Sequence, residues 1–250
     1  MSPLRSALLG CALALAPAVS PLAAPACPKT PVAVSMALPH LLSAVNHGVE
    51  GVIVALGSSS TQGAMASDLA HSYPAVLQQA LSAALPEAHV AVINRGIGGQ
   101  DATEELGRLD ADVLAIRPQL VIWQVGANGA LRNADPAAFR GMVSAGVRRL
   151  QAAGADVILM DNQQSPALLA QASEPVFDQE LAEAARETGA ALFSRRALMQ
   201  AWNREGAPPV QFIAADGLHH NDRGYRCVAQ SLASAIVDGL TPKLPLTASR

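Results

Sequence analysis

The sequence predicts an α/β domain built on a parallel sheet with helices on both faces. Short apolar runs alternate with stretches of helical spacing through most of the chain. Those runs are apolar at successive positions rather than at every second one, as in strands covered on both sides. Each run also stops at a glycine or a small polar cluster, the punctuation of a strand that ends at a rim. The chain has 250 residues, 50% of them hydrophobic, which is ample for one such core.

The elements follow in order. Val52 to Leu56 is a strand ending in Gly57. Tyr73 to Leu85 has helical spacing, with Pro74 in its first turn and Pro86 after its end. Val90 to Ile93 is a second strand, closed by Asn94-Arg95-Gly96. Asp101 to Ile116 reads as one helix, opened by an acidic residue and stopped by Arg117-Pro118. Leu120 to Val125 is a third strand, closed by Gly126. Asp135 caps a helix running to about Ala153, with Pro136 at its first position. Val157 to Met160 is a fourth strand. Pro175 to Thr188 is a helix ended by Gly189, and Ala190 to Phe193 is a short fifth strand. Asn221 or Asp222 caps a last helix to about Val237.

The two ends read differently. Arg5, the uncharged apolar stretch from Ser6 to Val19 and the small residues of Ala24-Pro25-Ala26 form a secretory signal, cut after Ala26. The expected organisation is a signal over 1–26, a lead-in over 27–47, the α/β domain over 48–240 and a loose tail over 241–250. The protein is thus expected in the periplasm or outside the cell, with no stable membrane insertion after signal removal. Cys11 leaves with the signal, so Cys27 and Cys227 remain and could pair in an oxidising compartment. Equally, Cys227 is a small buried hydrophobe and Cys27 lies in a loose tail. The formal charge of −3 and the 3% aromatic content give no basic surface or stacking platform for nucleic acid.

Ligands of open parallel sheets sit at the carboxyl ends of the strands. Polar clusters occur there: Gly57-Ser58-Ser59-Ser60-Thr61, Asn94 to Gly99, and Gly126-Ala127-Asn128-Gly129. Asp216-Gly217-Leu218-His219 precedes the last helix. A serine, a histidine and a carboxylate supply the nucleophile, base and orienting group of acyl transfer through a covalent intermediate.

These four segments resemble the sequence blocks of the SGNH (GDSL-like) hydrolase family, from about Gly51 to Gly239. The resemblance implies a flavodoxin-like three-layer α/β/α sandwich and hydrolysis of esters or thioesters without a cofactor or metal. It makes Ser59 the nucleophile, His219 the base and Asp216 its partner. The oxyanion hole would use the amides of Ser59 and Gly96 and the side chain of Asn128. Two positions depart from the family: Ser58 replaces the Asp before the nucleophile, and Gly129 replaces the Asp that often follows the asparagine. The adjacent serines leave Ser60 as a competing nucleophile. The expected substrate is a small acyl ester, such as an acetyl group on a polysaccharide. The alternatives are a lysophospholipase or thioesterase, and a catalytically silent carbohydrate-binding module.

Other motifs are weaker. The Gly96 to Asp101 segment has Asp101 where a dinucleotide loop needs its third glycine. Thr61 occupies the second glycine position of the Gly-x-Ser-x-Gly elbow. His220 is read as a bystander, and His40, His47, His71 and His89 lack metal-ligand spacing.

Overall fold

A computed structural model describes residues 25–29 and 36–241. The expected signal therefore falls outside the described residues, apart from Pro25 and Ala26, and so does the tail beyond Thr241.

Five parallel strands form one sheet in the order β2-β1-β3-β4-β5. They are β1 (Gly51–Gly57), β2 (Val90–Gly96), β3 (Leu120–Gln124), β4 (Asp156–Met160) and β5 (Ala191–Phe193). Eleven α-helices are present among the described residues: α1 (Pro39–Asn46), α2 (Ser59–Gln62), α3 (Tyr73–Ala84), α4 (Ala102–Gly107), α5 (Leu109–Asp112), α6 (Ala127–Leu131), α7 (Pro136–Ala152), α8 (Pro166–Leu169), α9 (Glu174–Thr188), α10 (Arg195–Arg204) and α11 (Asp222–Leu240).

The apolar strands have cores on both faces because successive side chains point to opposite sides. Ile53 and Ala55 of β1 join Leu77, Trp202, Tyr225 and Leu232 in one core. Val54 and Leu56 join Trp123, Val143, Val147 and Phe177 in the other. This is the three-layer α/β/α sandwich with a central parallel sheet, in flavodoxin-like strand order.

One expectation is corrected. The segment from Asp101 to Ile116 is not one helix. It breaks into α4, α5 and a 3₁₀ turn at Leu114–Ile116. Gly107 ends α4, and Arg108 leaves helical register to donate to the Gly57 carbonyl (3.0 Å) and Gln100 Oε1 (2.6 Å). The lead-in is also partly built: α1 buries Leu41 and Ala44, and the Leu41 amide donates to Asp156 Oδ2 at 3.0 Å. Cys27 and Cys227 form a disulfide with Cα atoms 5.3 Å apart, which ties residue 27 to α11.

Candidate active site

Strand register brings the polar clusters level. Gly57 of β1 lies opposite Gly96 of β2 on one side and Gln124 of β3 on the other. The chain order reverses at β1, so the loops after these three strands open around a topological switch point.

Ser59 opens α2 directly after β1, and its amide donates to no acceptor among the described residues. Its hydroxyl lies 2.7 Å from His219 Nε2. His219 Nδ1 lies 2.6 Å from Asp216 Oδ2. The other Asp216 oxygen accepts from the amides of Leu218 and His219, both at 3.0 Å. Partial burial alone would raise the Asp216 carboxyl. The hydrogen bonds from the His219 ring and the two amides together outweigh it and hold the group below its ordinary value. With Nδ1–H facing the carboxylate, Nε2 is left to accept the serine proton.

The sequence left two serines in competition, and the geometry separates them. Ser60 is 3% exposed, while Ser59 is the one whose hydroxyl meets His219. His220 turns away from the rim. It is fully buried, its Nδ1 lies 3.1 Å from the Phe212 carbonyl, and its ring meets Tyr225 edge-on. Burial pushes it down to about 3, helped by the nearby Arg195 charge, so it stays neutral.

The expected role of Gly96 needs correction. Its amide already donates to Asn94 Oδ1 at 2.9 Å. What the position demands is space: a Cβ there would lie 2.1 Å from the Gln62 nitrogen. Gly96 lets β2 pass against the end of α2. The amides of Gly98 and Gly99, by contrast, find no acceptor among the described residues. Gly98 is also close to Ser59, since a Cβ built on it would lie 3.9 Å from Ser59 Cβ. Asn128, on α6 after β3, donates one of its two amide protons to the Gln100 carbonyl at 2.7 Å. The second is left for a ligand.

Several bracing residues carried no motif. Gln124 Oε1 accepts from the Ser58 amide (3.3 Å), the Ser58 hydroxyl (3.3 Å) and Thr61 (3.1 Å). Ser58, standing where the family has Asp, therefore ties the start of α2 to β3. Gln163, 1% exposed, donates to the Leu218 carbonyl at 2.8 Å and so holds the loop that carries His219. The polar run Asp161-Asn162-Gln163 right after β4 was the available signal. Among the described residues, no group of three His, Cys, Asp or Glu side chains could hold a metal ion.

Sheet order and rim loops together define an SGNH-like hydrolase. The sequence model of the non-GDSL lipase-like family matches residues 24–242, and the chain belongs to that family. Among solved structures, it is similar to a two-domain esterase active on acetylated mannans (24% identity, TM-score 0.70). The match covers 86% of this chain and 58% of that one, so the present chain spans little more than half of the two-domain protein. It is similar to the psychrotrophic esterase EstA from Pseudoalteromonas sp. (22% identity, 76% and 98% of the two chains, TM-score 0.64). The acetylxylan esterase Axe2 from Geobacillus stearothermophilus is a further fold relative (20% identity, 77% and 95%, TM-score 0.62). No similar chain is found among curated proteins.

Proposed function

We propose that this protein is an exported serine esterase that removes a small acyl group, such as an acetyl group on a polysaccharide, through an acyl-enzyme. The observation that carries the reading is the chain of contacts from Ser59 Oγ through His219 to Asp216 at the rim of the sheet. Ser59 attacks the acyl carbon while its proton passes to His219 Nε2. The carbonyl oxygen becomes an oxyanion, met by the amides of Ser59 and Gly99 and the free proton of Asn128. His219 then protonates the departing alcohol. In the second half, water attacks the acyl-enzyme, gives its proton to His219, and the acid leaves as Ser59 regains its own.

Two fold relatives named for acetylated mannan and acetylxylan support a carbohydrate acetate as substrate. Export is supported by the signal-like N-terminus and by the disulfide, a bond that persists in oxidising compartments. No described helix is long and apolar enough to cross a membrane. A panel of p-nitrophenyl esters of rising chain length, alongside acetylated xylan and mannan, tests the reading. Fastest turnover of acetate and release of acetic acid from a polymer are expected. A preference for long acyl chains would favour a lysophospholipase or thioesterase, and no turnover with an inert Ser59 a silent binding module.

A further inference from the structure

We propose that Arg132 is a positioning residue that holds Gly99 by its carbonyl and so keeps the amide of the same residue turned toward the oxyanion, a role that rests on the esterase reading. Arg132 follows α6 four residues after Asn128, so the two side chains leave the same face of the helix. Both cross to the loop after β2. Asn128 donates to the Gln100 carbonyl at 2.7 Å, and Arg132 Nη2 donates to the Gly99 carbonyl at 2.6 Å.

The guanidinium is itself held. Its Nη1 meets Asp101 Oδ2 at 2.8 Å and Glu104 Oε2 at 3.2 Å. Those carboxylates form the capping box of α4: Asp101 accepts from the Thr103 and Glu104 amides, and Glu104 accepts from the Asp101 amide. A fork with one arm fixed on two carboxylates presents the other in a set direction. The helix start thus orients Arg132, and Arg132 orients Gly99.

Gly99 needs such a hold. It has φ +80°, and no heavy atom lies within 4 Å of where its Cβ would be, so no packing contact fixes it on that side. The Gln100 amide reaches the Ile97 carbonyl only at 3.5 Å, a long hydrogen bond. The Ile97 amide pins the start of this turn to the Gly57 carbonyl (3.0 Å), and its far side is held by Arg132 on the Gly99 carbonyl, Asn128 on the Gln100 carbonyl and Arg108 on Gln100 Oε1 (2.6 Å). Without Arg132 the Gly99 amide samples other directions and must be reordered as charge develops. That cost falls on the transition state and spares substrate binding.

The experiment compares Arg132→Ala and Arg132→Lys with wild type on p-nitrophenyl acetate, with the thermal midpoint and the Ki of a small alkylboronic acid, which forms a tetrahedral serine adduct. The expected result for Arg132→Ala is a fall in kcat of about tenfold, a matching rise in Ki and a KM within about twofold. The midpoint should move by no more than roughly 2–4 °C, because half-exposed ion pairs contribute little. Lys restores part of kcat, since it keeps one donor but not the fork. In an Asn128→Ala background the loss on removing Arg132 should shrink, as expected for groups acting on one oxyanion. Wild-type kcat in Arg132→Ala overturns the proposal. So does a kcat loss matched by a collapse of the midpoint and a raised KM, which marks a merely structural role. If wild type neither turns over ester nor reacts with a fluorophosphonate, the esterase reading fails and takes this role with it.

Discussion

Replacing Gly96 by Ala separates packing from hydrogen bonding at the rim. The new Cβ would lie 2.1 Å from the Gln62 nitrogen, 2.5 Å from the Thr61 carbonyl carbon and 2.6 Å from Gln62 Cα. All three are backbone atoms, so no rotamer change relieves them. β2 and the end of α2 must part by about 1 Å, a displacement that at a catalytic group costs ~10²-fold in rate. Overpacking of this kind costs about 1–3 kcal/mol of stability, so the protein should still fold. The alanine keeps its amide, and a loss of activity therefore cannot be a lost donor. The assay is kcat/KM on p-nitrophenyl acetate, the inactivation rate by a fluorophosphonate and the thermal midpoint. Gly107→Ala is the control, because nothing lies within 4 Å of its Cβ. A roughly 10²-fold drop in both rates is expected for Gly96→Ala and none for the control. Activity of Gly96→Ala within about twofold of wild type would refute the idea that this close approach sets the position of α2.

Three further outcomes are expected. Asn128→Ala should lower kcat by about 10²–10³ with little change in KM, read by steady-state kinetics, since an oxyanion donor acts in the transition state. His220→Asn, whose amide nitrogen stands in for Nδ1, should flatten the acid side of the stability curve. The folded His220 sits at about 3 against an ordinary 6.5, so the unfolded chain takes up the proton first, and stability falls as pH drops through that window. Denaturant titrations at pH 7 and pH 4 should show wild type losing about 3 kcal/mol more than the variant. Cys27→Ser removes a bridge closing a separation of 200 residues, worth about 5 kcal/mol in the chain-entropy model. The midpoint should fall by about 10 °C or more. Wild type purified without reductant should gain two mass units on reduction.

Much of the architecture was legible because it rests on composition. β3 is buried throughout and β1 everywhere but at Val52, so their apolar runs announced them. Asp135-Pro136 and Gly189 marked helix ends by local chemistry. Short helices such as α2 and α6 were not legible, because four or five residues carry no period. The break at Gly107-Arg108 was hidden as well, since Arg108 turns to partners at Gly57 and Gln100 that only the fold brings near. Ser59, Asp216, His219 and Asn128 stood out as candidates from spacing because each sits beside a strand end or a helix start, and the structure brings Ser59, His219 and Asp216 into contact. Gly96 was misread for a physical reason: a glycine after a strand serves either to free an amide or to admit a neighbour. Only the position of Gln62 distinguishes the two. Arg132 and Gln163 act through carbonyls at distant positions, a pairing that leaves no pattern in the chain.

The most direct measurement of the central claim is the site of covalent capture. The protein is treated with a fluorophosphonate, digested and mapped by mass spectrometry, beside Ser59→Ala and Ser60→Ala. The contact between Ser59 and His219 Nε2 predicts a single stoichiometric adduct on Ser59, retained in Ser60→Ala and abolished in Ser59→Ala. An adduct on Ser60, or none on a folded wild-type protein, would contradict the assignment of Ser59 as the nucleophile.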